Sequence, residues 1–292
     1  MSKTKKAVII GSVLVGIGVI IGFIGIAIGG FKFPNGAVDL TTMKALHAEK
    51  KTVQIVDAFD KIEIAGASSM DIEICKSKTG KNYVEYYDTD DWTSRVDVKA
   101  HVLKFTTDDK GKHKAIVSLG FGKDTAARLY LVDEEYKEIA VTTLSGYVTI
   151  QDVNAETVNV SASSGDLYMK NINAPDSIMA TSSSGDIDLE NATAKQIELG
   201  ANSGDIEMQD ITAESLRMST SSGDIDLESC DAEKFDITTS SGDVDMEIAA
   251  GRTYRFETKT NSGAVDVPDG DADSDYLCKI VTSSGDVDVK QK

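Results

Sequence analysis

Residues 221–227 read Ser-Ser-Gly-Asp-Ile-Asp-Leu, and variants of this stretch recur through the second half of the chain. Eight segments carry the pattern, and their glycines are Gly146, Gly165, Gly185, Gly204, Gly223, Gly242, Gly263 and Gly285. The intervals between these glycines are 19, 20, 19, 19, 19, 21 and 22 residues. A period this regular is typical of a solenoid, in which each repeat buries its apolar face against its neighbours.

Apolar residues occupy fixed positions around each glycine. The second and fourth positions after it are apolar, as in Ile225 and Leu227, and so are most residues seven and five positions before it, as in Leu216 and Met218. Alternation with a period of two predicts strands with one face inward. We therefore predict an all-β protein, a parallel β-solenoid (β-helix) of about 19-residue coils. Each coil is expected to have two short strands facing across a narrow apolar interior.

Residues 53–143 precede the regular repeats, which fill residues 144–292. Residues 62–74 alternate apolar and polar positions and resemble a degenerate first coil. A solenoid needs an atypical end unit to cover its exposed core and strand edge. We therefore predict that residues 53–143 form an irregular N-terminal β cap with the degenerate first coils.

The N-terminus has the pattern of a membrane anchor. Residues 7–31 contain no charge and are long enough, as a helix, to span a bilayer. Lys3, Lys5 and Lys6 precede them, which favours a cytoplasmic tail at residues 1–6 and an extracytoplasmic C-terminal domain. A cleaved signal peptide is the alternative, but its apolar region would be shorter. Residues 32–52 are predicted to be a juxtamembrane spacer in a single-pass cell-membrane protein.

Small residues follow one face of the predicted membrane helix. They are Gly11, Gly18, Gly22, Gly25 and Gly29. Two pairs among them have the GxxxG spacing that lets two helices approach closely. A homodimer through this face is one reading, and the ordinary abundance of glycine in membrane helices is the other.

The net charge of −18 is unevenly distributed. Residues 145–292 hold 29 acidic and 10 basic residues, a net charge of −19, which leaves 19 acidic and 20 basic residues before them. Such a surface repels nucleic-acid phosphates and attracts cations or basic partners. Nucleic-acid binding is therefore not expected.

Carboxylates form two columns in the repeat. One position after the glycine are Asp166, Asp186, Asp205, Asp224, Asp243 and Asp286, and three positions after it are Asp188, Glu207, Asp226, Asp245, Asp266 and Asp288. Stacked strands about 4.8 Å apart would bring these charges together, where they repel unless screened. Either the first column caps turn amides, or the face binds cations such as Ca²⁺.

A second acidic feature is the loop at residues 268–275. Its alternating Asp269, Asp271, Asp273 and Asp275 are candidate ligands for Ca²⁺, the one cofactor that the sequence suggests. The loop departs from the EF-hand pattern, which requires Gly at 274 and Glu at 280, where this chain has Ser and Ile.

Residues that commonly perform catalysis are scattered. They are His47, His101, His113, Cys75, Cys230 and Cys278. No histidine is placed beside a nucleophile, and no CxxC spacing suggests zinc, so the cysteines are predicted to be small buried apolar residues. We expect no enzyme, although a polysaccharide-acting β-helix enzyme and a calcium-stabilised surface solenoid are alternatives to a non-catalytic surface module.

The recurring Ser-Ser-Gly-Asp-Ile-Asp-Leu pattern behind a single N-terminal span resembles the bacterial putative adhesin family, including LiaG-like envelope proteins. The resemblance covers residues 53–292, although Tyr147 and Ala264 replace the aspartate in two repeats. It implies a β-strand solenoid at the membrane or cell surface, with no catalytic activity. The partner it implies is an envelope protein or cell-surface ligand, in an adhesive or envelope-stress role.

Overall fold

The computed structural model describes residues 32–33, 36–37, 49–66, 70–88, 92–109, 126–132 and 135–292. The chain divides into two compact units, residues 1–47 and 48–292. In the first, β1 (Lys32–Phe33) and β2 (Gly36–Ala37) form an antiparallel pair. The span predicted at residues 7–31 lies outside the described residues, and none of these residues belongs to a helix long and apolar enough to cross a membrane.

In the described part of the second unit, eighteen strands form one continuous sheet. The first seven are β3 (Glu49–Gln54), β4 (Lys61–Gly66), β5 (Ile72–Lys76), β6 (Tyr83–Asp88), β7 (Trp92–Lys99), β8 (Val102–Asp109) and β9 (Ala127–Leu131). The repeat region holds β10 (Glu135–Ser145), β11 (Val148–Ser164), β12 (Leu167–Ser182), β13 (Ile187–Ala201), β14 (Ile206–Ser222), β15 (Ile225–Ser241), β16 (Val244–Ile248), β17 (Arg255–Lys259), β18 (Val265–Asp266), β19 (Leu277–Val281) and β20 (Val287–Gln291).

From β10 to β16 the sheet winds as a solenoid. Each strand pairs in parallel with the next strand of the chain, and equivalent positions lie side by side, as Ile206 does with Ile225. The described residues contain no helix. The predicted all-β parallel β-solenoid with coils of about 19 residues is confirmed.

Each regular coil has three sides. In β11, every second residue is buried from Val148 to Ile150. Two residues that are not buried then separate Ile150 from Val153, and two more separate Ala155 from Val158, so the alternation of buried residues shifts twice. Each change of phase marks a corner, because alternation persists only along a straight strand. The prediction of two facing strands was therefore wrong. The third side was missed because small residues such as Ala192 and Ala194 make it a weak strand signal.

The corner that follows the first side has a left-handed backbone without glycine. Its residues are Asp152, Asn171, Asn191, Asp210 and Ser229, with φ between 52° and 55°. Asn and Asp tolerate this conformation better than other non-glycine residues. Their side chains also bond between coils: the Nδ2 of Asn171 donates to the Oδ1 of Asp152 over 2.6 Å, and the Nδ2 of Asn191 donates to the Oδ1 of Asn171 over 2.7 Å.

Both ends of the stack depart from chain order. At the C-terminal end, β19 lies between β15 and β17, and β20 lies between β16 and β18. At the N-terminal end, β4 lies between β10 and β8, and β5 lies between β11 and β9. At the N-terminal end, β4 and β5 thus lie one layer inside the stack, and β8 and β9 form the outermost parallel layer. At the C-terminal end, β19 and β20 lie one layer inside, and β17 and β18 form the outermost layer.

Antiparallel strands complete the N-terminal end. β7 pairs with β8, while β6 pairs with both β9 and β3. The strand β3 begins at Glu49, inside the range predicted as a spacer. The strands β4 and β5, within the stretch interpreted as a degenerate coil, pair in parallel with β10 and β11.

The core is one cluster of mainly aliphatic side chains, with several aromatic ones, that runs through the stack. Cys230 and Cys278 are fully buried in it, and burial raises the pKa of each thiol to about 12. They act as small apolar residues, as predicted. Cys75 differs, because it is only partly buried on the outer side of β5.

Candidate functional site

The glycine corner allows two coils to touch through their backbones. A Cβ atom built on Gly204 would lie 2.2 Å from the carbonyl oxygen of Gly185, and one on Gly223 would lie 2.1 Å from that of Gly204. Atoms cannot approach that closely without a shift of the backbone, so the column requires glycine. The repeated glycines are therefore structural.

The aspartate after each glycine caps the next coil. The Oδ1 of Asp186 accepts the backbone N–H of Asp205 over 2.9 Å, and the Oδ1 of Asp205 accepts that of Asp224 over 2.8 Å. The same bond continues to Asp243 and Asp286. These distances favour turn capping as the role of the first carboxylate column, because its oxygens already accept hydrogen bonds from backbone amides of the turns.

A column of buried hydroxyls supports the same corner. The hydroxyl of Ser182 donates to the carbonyl of Gly165 over 3.2 Å, and that of Thr220 donates to the carbonyl of Gly204 over 3.1 Å. Thr239 makes the equivalent bond to Gly223. The carbonyl groups that face the glycine Cα atoms thus accept a hydrogen bond from a buried hydroxyl.

The second carboxylate column lines an acidic groove of about 510 Å³ on the outer face of the solenoid. Its polar lining comes mainly from Asp188, Glu190, Glu207, Gln209, Asp226, Glu228, Asp245 and Glu247. Adjacent coils are in register, so that Asp188 lies beside Glu207 and Glu207 beside Asp226. We use the name acidic groove for this set of residues.

The groove holds its charges in an unfavourable environment. Partial burial raises the pKa of Asp188 to about 6, and the negative charges of Glu207 and Asp186 add to the rise. Burial also raises the pKa of Asp226, with Asp245 as the largest charged contribution. A cation in the groove would relieve this repulsion.

Basic residues lie at the two ends of the groove. At one end Lys170 forms an ion pair with Glu190, which also accepts the Tyr168 hydroxyl over 2.9 Å. These two contacts lower the pKa of Glu190. At the other end the Nζ of Lys290 is 2.8 Å from Asp288. The middle of the groove is therefore its most negative part.

The acidic loop at residues 268–275 packs over the C-terminal end of the core. The N–H of Asp271 donates to the carbonyl of Tyr254 over 3.0 Å, and the Oδ1 of Asp271 accepts the N–H of Asp273 over 3.0 Å. A Cβ on Gly270 would lie 3.0 Å from the ring of Phe256. Among the described residues, no three acidic, His or Cys side chains converge as metal ligands. The calcium site at Asp269, Asp271, Asp273 and Asp275 stays a prediction.

Among the described residues, no histidine lines the acidic groove. His101 is exposed in the turn between β7 and β8, where its φ is 63°. His47 and His113 lie outside the described residues. The titratable groups that line the groove are carboxylates, Tyr168 and Lys290.

A sequence model of the family described as Toastrack DUF4097 matches residues 59–291, nearly the whole solenoid unit. This chain belongs to the Toastrack family. No curated protein matches this Toastrack chain significantly.

Two solved structures resemble this Toastrack chain. A putative lipid binding protein from Parabacteroides distasonis is 19% identical, with a TM-score of 0.51, and the match covers 83% of this chain and 96% of that one. A putative adhesin from Bacteroides fragilis is 17% identical, with a TM-score of 0.49, and the match covers 84% and 97%. The first likeness supports the fold, and identities this low support nothing finer.

Sequence reasoning on this Toastrack chain found both carboxylate columns but did not separate their roles. It also missed the hydroxyl column, which includes Ser182, Thr220 and Thr239. The signal was present, because a hydroxyl occurs three residues before most of the repeated glycines. The left-handed corner was equally visible as Asp, Asn or Ser six residues after the glycine.

Proposed function

We propose that this Toastrack protein is a non-catalytic module of the bacterial cell envelope that binds a cationic partner in its acidic groove. Residues 7–31 would hold it in the membrane with the solenoid outside. The observation that carries the proposal is the in-register column Asp188, Glu207, Asp226 and Asp245. Regular columns of one charge favour a partner that is itself extended and basic.

The two carboxylate columns differ in what they already bind. The first column accepts backbone amides, as Asp205 does from Asp224. In the part of the chain that the structure describes, Asp188, Glu207 and Asp226 have no ion pair, whereas Lys170 and Lys290 pair at the ends of the groove. The middle carboxylates are thus available to an external cation.

Membership of the Toastrack family and the uniform lining of the groove suggest a non-enzymatic solenoid. A polysaccharide-acting enzyme would need one irregular site with distinct acid and base groups. The groove instead repeats the same carboxylate environment coil after coil. Within the envelope, an adhesive role or a LiaG-like envelope-stress role would both use a cationic partner in this groove.

Binding of a fluorescent lysine-rich peptide to the full chain in nanodiscs tests the proposal. The test variant carries Asp188→Asn, Glu207→Gln, Asp226→Asn and Asp245→Asn. The control variant carries Glu156→Gln, Asp176→Asn, Glu214→Gln and Glu233→Gln, four exposed carboxylates near another corner of the coil. Both variants lose four negative charges, and the control also loses the exposed ion pair between Asp176 and Lys195.

We expect the groove variant to lose most of its affinity and most of its salt dependence, and the control variant to keep both. Equal losses in the two variants would mean that the peptide responds to net charge and not to the groove. Retention of affinity by the groove variant would also refute the proposal.

A further inference from the structure

The C-terminal coils make the same glycine contacts and capping bonds as the regular coils, but these contacts do not follow chain order. A Cβ on Gly285 would lie 2.0 Å from the carbonyl oxygen of Gly242, and one on Gly263 would lie 2.1 Å from that of Gly285. The capping bonds follow the same path. Asp243 accepts the N–H of Asp286 over 2.8 Å, and Asp286 accepts that of Ala264 over 2.7 Å.

Tyr254 fills the core where the chain passes over one layer. It precedes β17 directly, is 1% exposed, and donates its hydroxyl to the carbonyl of Ala232 over 2.7 Å. Its ring lies edge-on to Phe235 at 5.7 Å and close to Tyr276 at 6.0 Å. This large side chain thus packs against β15 at the point where β17 begins.

The outer layer has little burial of its own. The residues of β17 are half-buried or exposed, and both residues of β18 are exposed, whereas β19 buries Cys278 and Ile280 completely. In the described structure, the ladder partners of β17 and β18 are β19 and β20. The N–H of Lys292, which follows β20, donates to the carbonyl of Ile248 in β16 over 3.1 Å.

We propose that the coil formed by β19 and β20 is a latch for the outermost layer, β17 and β18, which we call the C-terminal cap. Without the latch, the C-terminal cap has no stable position. The dependence runs against chain order: residues 255–266 are made first but dock last.

Hydrogen exchange of the full chain, measured on peptides, tests this dependence with two matched substitutions. Gly285→Val alters the latch corner, and Gly263→Val alters the outer corner. The two glycines have φ values of 155° and 156° and almost the same approach to a neighbouring carbonyl. The variants therefore differ chiefly in the layer that each one disturbs.

We expect Gly285→Val to accelerate exchange about tenfold or more in both residues 255–266 and residues 277–291. Gly263→Val should accelerate it in residues 255–266 alone. The proposal is overturned if Gly285→Val leaves residues 255–266 protected, or if Gly263→Val also exposes residues 277–291.

A milder pair serves if valine at either glycine unfolds the whole protein. Thr282 donates its hydroxyl to the carbonyl of Gly242, and Thr260 donates its own to that of Gly285. Thr282→Val should loosen both layers, and Thr260→Val should loosen only the outer one. Equal patterns from the two variants would contradict the latch.

Discussion

The Oδ1 atom of Asp224 accepts the backbone N–H of Asp243, 2.8 Å away in the next coil. Two residues further along the chain, Asp226 faces the acidic groove, where burial and Asp245 raise its pKa. Two aspartates in one repeat thus have opposite effects on the folded state. Asp224 stabilises the corner because its carboxylate accepts a hydrogen bond. Asp226 is partly buried beside other carboxylates, which disfavours its charged form.

Substitution of these two aspartates by alanine should separate their roles. Asp224→Ala is expected to lower the free energy of unfolding by about 1–2 kcal/mol, because it removes the acceptor of a turn amide. Asp226→Ala should leave the stability at pH 7 unchanged or increase it, because it removes charge repulsion. Urea denaturation of both variants measures the difference, and a larger loss in Asp226→Ala would contradict the assignment.

The glycine corner should tolerate no side chain. Gly204→Ala is expected to destabilise the protein by about 3 kcal/mol or more, because its Cβ would lie 2.2 Å from a backbone oxygen. Gly200→Ala is the control in the same coil, where the nearest atom to a new Cβ is 3.6 Å away. That change should be neutral or stabilise by up to about 1 kcal/mol. Thermal unfolding checks both, and similar midpoints would refute the close approach.

Stability should fall as the pH rises from about 4 to about 6. The pKa of Asp188 in the folded protein is about 6, above its ordinary value of 3.8, so the folded state binds more protons than the unfolded chain in this window. The contribution is complete below the unfolded pKa and is lost as the pH passes the folded value. Asp188→Asn should reduce this slope and raise stability at pH 7. Urea midpoints between pH 4 and pH 7 measure it, and an identical slope in the variant would contradict the prediction.

The acidic loop is expected to act mainly as a cap on the core. Calcium at millimolar concentration should then change Tm by less than about 2 °C relative to a chelator, because a ligand bound to the folded state alone raises Tm. A rise of several degrees that disappears in Asp269→Asn/Asp273→Asn would instead support the calcium site predicted from the sequence. The double variant keeps Asp271, whose Oδ1 caps Asp273.

Residues 7–31 are predicted to anchor the chain in the membrane. Deletion of this segment should move the protein from the membrane fraction to the soluble fraction, and external protease should reach the solenoid but not a tag at Met1. An N-terminal sequence that begins beyond residue 31 in the mature protein would show a cleaved signal peptide instead.

If the glycine face forms a homodimer, Gly22→Ile should reduce crosslinking between copies.

The form of a single coil follows from local pattern. Gly223 predicts a corner, and Ile225 and Leu227 predict an inward face, because turn-forming residues and alternation act over a few residues. The position of the left-handed corner could also have been predicted, because Asn171 and Asn191 belong to a residue type that tolerates positive φ. The third side could not be read as easily, since alanines such as Ala192 give little strand signal.

The sequence by itself determined what each layer looks like, but only the tertiary structure decided which layer lies against which. Most coils present the same corner glycine, capping carboxylate and apolar columns, so the stacking energies of different pairs of coils are similar. In the folded chain Gly285 lies between Gly242 and Gly263, and Tyr254 is buried where the chain passes over one layer. The difference between Asp224 and Asp226 has a similar origin, because only contact with the neighbouring coils distinguishes a capping carboxylate from a repelled one.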